Sequence, residues 1–85
     1  MRIAWTIDHD HIAQPGECSR AGRHFGSPDA VLAFRYRVKD ADGEVYYEGR
    51  CSDDSSFAPL DFAQADAGAT DIEYLDPATG RWVGL

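Results

Sequence analysis

The chain has 85 residues, with 15 Asp and Glu against 8 Lys and Arg, and a formal net charge of −7. That length suits one small domain, which buries only about 60–65% of its unfolded surface and has a modest core. The charge is uneven. Residues 1–39 hold six bases against four acids, whereas residues 40–76 hold eleven acids against the single base Arg50. Phosphate binding needs a basic patch, so direct nucleic-acid binding and an acidic membrane surface are both disfavoured. There is no apolar run near the roughly 18–20 residues needed to span a bilayer. Nor does Met1–Ile7 read as a basic-then-apolar signal segment. The cytoplasm is the expected compartment, and Cys18 and Cys51 are expected as free thiols.

Residues 2–10 alternate like a strand, with Ile3, Trp5 and Ile7 on one face and Arg2, Ala4, Thr6 and Asp8 on the other. Continuing that alternation puts His9 and His11 on one face and Asp8 and Asp10 on the opposite one. Residues 13–30 read as irregular, punctuated by Pro15-Gly16, Gly22, Gly26 and Ser27-Pro28. Arg20, Arg23 and His24 make this the locally basic loop, and loops of such length in small domains are often functional.

The centre of the chain is a hairpin. In Val31–Lys39, Leu32, Phe34, Tyr36 and Val38 alternate with Ala33, Arg35, Arg37 and Lys39; in Glu44–Cys51, Val45, Tyr47, Gly49 and Cys51 alternate with Tyr46, Glu48 and Arg50. Asp40-Ala41-Asp42-Gly43 supplies the turn. With Asp42-Gly43 at its apex, Val38 faces Tyr47, Tyr36 faces Gly49, Phe34 faces Cys51 and Arg37 faces Glu48. A four-residue loop would shift the pairing by two, for example placing Lys39 opposite Glu44, and would leave the faces unchanged. The same acidic turn is not a calcium loop. Aligned on its glycine, it puts Val38 and Gly49 at ligand positions that need oxygen donors.

Downstream of the polar loop Ser52–Ser56, Pro59–Gly68 reads as a helix of two to three turns, with proline in its first turn and glycine at its end. Leu60, Phe62 and Ala63 are the expected anchors. Thr70–Leu75 and Arg81–Leu85 read as a terminal strand pair across Asp76–Gly80, with Tyr74 beside Val83, Leu75 beside Trp82 and Ile72 beside Leu85. The expected fold is therefore α+β in the order β-β-β-α-β-β, a mainly antiparallel sheet of about five strands with one short helix.

Asp8, His9, Asp10 and His11 form the densest group of metal-ligand types. An extended strand splits them between faces, so a site there needs further ligands such as Cys18 or His24. No spacing signature activates Cys18 as a nucleophile, and no glycine-rich phosphate loop opens a helix. An enzyme is not expected, nor a cofactor. The aromatics exceed what a core of this size needs, and Tyr46 is expected on the face opposite Tyr47. Tyrosine among acids suits a protein-binding surface. The candidate partner residues are Asp40, Asp42, Glu44, Tyr46, Glu48, Asp53, Asp54, Asp71 and Glu73.

Asp42–Gly49, Phe57–Asp61 and Gly68–Tyr74, with the opening Ile7–Ile12, are similar to short uncharacterised acidic proteins of bacterial plasmids and phages. That group has no assigned catalytic or ligand residues. The resemblance implies a mobile-element setting, where small acidic proteins often bind host proteins, anti-CRISPR inhibitors among them. The expected function is a non-enzymatic, acidic protein-binding module. It would act as a nucleic-acid mimic on a basic host surface and inhibit the protein it covers. A metal-binding protein using Asp8–His11, or a structural subunit dimerising through an open sheet edge, are the alternatives.

Overall fold

The computed structural model describes residues 3–85; the expected placement of Arg2 lies outside them. Seven strands and one helix follow in the order β1 (Trp5–Ile7), β2 (His9–Asp10), β3 (Arg23–Phe25), β4 (Phe34–Lys39), β5 (Val45–Cys51), α1 (Ala58–Ala67), β6 (Asp71–Asp76) and β7 (Arg81–Gly84). All pairings are antiparallel, and the main path across the sheet is β3-β1-β5-β4-β6-β7, with β2 pairing to β5. The α+β class and the single short helix agree with the sequence reading; the strand count does not. No helix among the described residues is long and apolar enough to cross a membrane.

The central hairpin has the expected register: Val38 opposite Tyr47, Tyr36 opposite Gly49, Phe34 opposite Cys51 and Arg37 opposite Glu48. Its first strand starts at Phe34 rather than Val31, which is 80% exposed. Near the turn the pairing slips by one residue, so that Lys39 faces Val45 and Tyr46 is the extra residue of a bulge. The chain reverses over Asp40–Gly43, where the Gly43 N–H donates to the Asp40 carbonyl and Gly43 adopts φ +86°. Only glycine takes that conformation without strain.

Two corrections account for the extra strands. The N-terminal strand is broken in two. Trp5 pairs with Cys51, but His9 pairs with Glu48, so one more residue separates the pairs on the N-terminal side than on β5. That extra residue reverses the alternation beyond it. The second correction is β3, which lies inside the stretch expected to be irregular and pairs with β1 through Trp5–Phe25, Thr6–His24 and Ile7–Arg23. The sequence Arg23-His24-Phe25 is too short and too polar to show a period; its partner strand makes it a strand.

One sheet face is the core. Ile7, Tyr36, Val38, Tyr47, Cys51, Ile72 and Tyr74 are buried there with Ala63 of the helix. The helix is near its expected position, and Gly68 closes it at φ +80°. Phe62 packs on Trp5, Phe25 and Tyr47, while the Trp5 and Phe25 rings stack at 4.0 Å. Cys51 is buried and Cys18 exposed, both as free thiols.

A close backbone crossing fixes how β1 lies against the hairpin. The Tyr36 ring passes over Gly49, and its hydroxyl donates to the Thr6 carbonyl at 2.7 Å. A Cβ on Gly49 would stand 1.9 Å from that same carbonyl oxygen. Gly49→Ala should therefore destabilise the fold by about 3 kcal/mol, at the upper end of overpacking costs, read by urea denaturation. A loss below about 1 kcal/mol would show that β1 can move aside freely.

Candidate functional site

Each sheet face sends its polar groups to a different task. On the helix-covered face, tyrosine hydroxyls fasten the helix at both ends. Tyr74 donates to the Ser56 carbonyl at 2.7 Å, just ahead of the helix, and Tyr47 donates to Asp66 at 2.6 Å near its end. Arg20 completes the second clasp, with Nε 3.1 Å and Nη2 3.2 Å from the Asp66 carboxylate oxygens. The guanidinium of Arg20, then the Tyr47 hydroxyl, hold the Asp66 pKa below the ordinary aspartate value. Burial first, and then the hydrogen bond to Asp66, push the Tyr47 phenol up.

Asp10, Glu17, Cys18, Arg20, Tyr47 and Asp66 surround a cavity of about 130 Å³ beside this clasp. Its carboxylates are engaged within the chain. Asp10 accepts the backbone N–H groups of Ile12, Ala13 and Arg20, at 3.0, 3.0 and 2.8 Å. The carboxylate thus closes the loop between β2 and β3 rather than facing a ligand.

The residues considered for metal binding separate accordingly. Asp8 pairs with Arg50 at 2.9 Å, and His11 Nε2 lies 2.5 Å from Glu48. His9 is level with Glu48, and its ring stacks with that of His11 at 6.2 Å. The expected sharing of one face by Asp8 and Asp10 is corrected. After the extra residue in the strand, Asp10 falls level with Tyr47 on the core side, whereas Asp8 reaches Arg50 on the open side. Among the described residues, no group of three or more His, Cys, Asp or Glu is arranged to hold a metal ion.

The open face of the sheet carries a lattice of ion pairs. Arg37 Nε donates to Glu73 at 2.7 Å, and Lys39 Nζ lies 3.1 Å from the same carboxylate. The Arg37 guanidinium also sits 4.3 Å from the centroid of Trp82, on the next strand but one. Arg37 is level with Glu48, as expected, but its guanidinium turns the other way, because Glu73 is equally level with it on β6 and Trp82 lies beyond. Partial burial works to raise the Glu73 pKa; the hydrogen bonds from Arg37 and Lys39 outweigh it and hold the group below the usual glutamate value. Sequence reading missed both the Arg37–Trp82 stack and the Tyr47–Asp66–Arg20 clasp. The former was legible only from a strand order that places β6 beside β4, and the latter had no local signal.

The nine candidate partner residues do not form one surface. Asp40, Asp42, Glu44 and Asp71 gather at the hairpin tip, since Asp71 is level with Lys39 and the Thr70 N–H donates to the Lys39 carbonyl. Asp40 is committed to the turn: its carboxylate accepts the N–H groups of Asp42 and Glu44, both at 2.9 Å, and the Tyr46 hydroxyl at 3.3 Å. Tyr46 is half-buried against the core rather than fully presented. Glu48 and Glu73 lie mid-sheet and are paired. Asp53 and Asp54 follow the far end of β5, a strand length of roughly 20 Å from the tip; the Asp53 carboxylate accepts the N–H and hydroxyl of Ser55. Asp42, Glu44 and Asp71 are exposed and have no cationic partner among the described residues.

The depressed carboxylates set the acid response. Asp66 and Glu73 contribute stability above the ordinary carboxylate pKa near 4 and lose it as pH falls through their lowered folded values. Asp66→Ala leaves the Tyr47 hydroxyl without its acceptor and should cost about 1–2 kcal/mol at pH 7. Thermal melts should show that gap between wild type and variant closing towards pH 3; a gap that is constant with pH would mean the carboxylate charge plays no part.

No family model, no curated protein and no solved structure matches this chain.

Proposed function

We propose that the chain is a non-enzymatic binding module whose acidic hairpin tip docks on a basic surface of a partner protein. The carrying observation is the convergence of Asp42, Glu44 and Asp71 at one end of the sheet, exposed and without intrachain cations among the described residues. The mid-sheet acids are already neutralised and would add little to binding. The tip is also pre-organised. The Asp40 carboxylate holds the turn through two backbone N–H groups, so little conformational entropy remains to be lost on docking.

A surface with those properties fits a site that otherwise holds nucleic acid, with carboxylates standing where phosphates would lie. The similarity to short acidic proteins of plasmids and phages extends the reading to an inhibitor, by analogy with anti-CRISPR proteins that occupy basic channels.

Docking of this kind is steered by charge and weakens as salt screens it. Immobilised protein should capture a partner from host lysate at about 0.05 M salt and release it at about 0.5 M, where the Debye length is under half as long. Combined Asp42→Lys, Glu44→Lys and Asp71→Lys reversal should lower affinity at least about tenfold, or ~1.4 kcal/mol, while Asp54→Lys at the far end leaves it unchanged. Salt-insensitive capture, or equal loss from both variants, would remove the tip from the interface.

A further inference from the structure

The two edges of the sheet differ. The β3 edge is three residues long, carries exposed Arg23 and His24, and is followed by Gly26 and Pro28. Shortness, charge and nearby proline are the usual devices that stop an edge from recruiting another strand. The β7 edge is one residue longer and, past the exposed Arg81, carries neither charge nor proline over Trp82–Leu85. Val83 and Leu85 are 52% and 50% exposed, beyond the reach of the helix. The Leu85 N–H donates to the Ile72 carbonyl at 3.2 Å. Antiparallel pairs alternate between bonded and non-bonded, and Tyr74 and Asp76 are level with Val83 and Arg81. Arg81, Val83 and Leu85 therefore direct their N–H and C=O groups to β6, while Trp82 and Gly84 direct theirs outward.

We infer that this edge is a self-association surface, on which β7 pairs antiparallel with β7 of a second copy about a two-fold axis at Val83. In that register Trp82 and Gly84 of one copy exchange backbone hydrogen bonds with Gly84 and Trp82 of the other, which satisfies the outward groups reciprocally. Val83 meets its own mate as a non-bonded pair, where side chains come closest. On the open face Trp82 is level with the partner's Gly84, while its indole is held over its own sheet by the Arg37 guanidinium, 4.3 Å from the ring centroid. The space above Gly84 is empty, with no atom within 4 Å of where a Cβ would stand, so the second strand approaches that face without a clash. On the other face Leu85 lies beside the partner's Arg81, so no like charges are level with each other. The interface is self-complementary, as two-fold contacts require.

A pairing this short covers less than the roughly 1,200 Å² of stable complexes, so the dimer is weak, with a dissociation constant on the order of 10⁻⁴ M. Two chains of charge −7 repel, so dimerisation strengthens as salt rises, opposite to docking through the hairpin tip.

Sedimentation equilibrium of the full chain up to about 1 mM tests this. Wild type should dimerise, more tightly at high salt. Val83→Glu sets like charges together at the axis, and Gly84→Pro removes an outward N–H that β6 does not use; both should remain monomeric at that concentration with unchanged circular dichroism. Val83→Cys in a Cys18→Ser background should oxidise to a covalent dimer, because the paired Cα atoms lie at about 4.5 Å, within disulfide reach. A wild-type chain that stays monomeric throughout would overturn the inference. So would a dimer that survives both edge substitutions, or a Val83→Cys chain that does not cross-link.

Discussion

The structure depends first on the place where Tyr36 crosses Gly49 to reach Thr6. The ring lies over a residue without a side chain, and the hydroxyl finds a carbonyl on the strand beyond, 2.7 Å away. This contact joins β4 to β1 across β5, three strands through one side chain. It also satisfies polar groups in the interior, where an unpaired hydroxyl or carbonyl would be costly. Burial drives the phenol pKa upward, so it stays a neutral donor. With β1 fixed there, Trp5 stacks on Phe25, and the short β3 acquires a partner.

The same economy recurs at the helix. A ten-residue helix is too short to be stable alone, so its order comes from the sheet beneath it. Tyr74 and Tyr47 supply a hydroxyl near each end, and Phe62 and Ala63 supply the apolar contact between. The tyrosines, numerous for so small a core, serve as long apolar side chains with a polar tip. That use leaves fewer aromatics on the surface than composition alone suggests.

Charge is partitioned by the fold as strongly as apolarity is. The chain divides into a mildly basic first part and an acidic second part, but antiparallel pairing lays those parts side by side. Arg37 and Lys39 meet Glu73, Arg50 meets Asp8, and His11 meets Glu48. The open face becomes a neutralised lattice, and the surplus negative charge is left at the ends of the strands. A net charge of −7 therefore describes a tip and a far end rather than an acidic face. Surface pairs of this kind contribute modestly to stability; their larger effect is to decide which carboxylates remain unpaired.

The hairpin register, the terminal β6–β7 pairing and the proline-to-glycine helix were legible in the sequence because each rests on local alternation or on turn chemistry within a few residues. Val38 opposite Tyr47 and Leu75 opposite Trp82 follow from period two and a turn. The break in the N-terminal strand was not legible, since an added residue leaves composition unchanged and shows only in what each flank pairs with. Nor was β3, whose three residues gain strand character from β1 alone. The candidate partner residues were legible as acids, but not their places in the fold. Their distances apart depend on strand order, which brings Asp71 to the tip and leaves Asp53 and Asp54 at the far end. Sequence alone determined the faces of the hairpin and of the terminal strand pair, the turns and the total charge, none of which needs a distant contact. Which carboxylates are neutralised, which edge is left open and where β1 crosses the hairpin were decided by contacts between residues thirty or more positions apart, and only the assembled sheet supplies those.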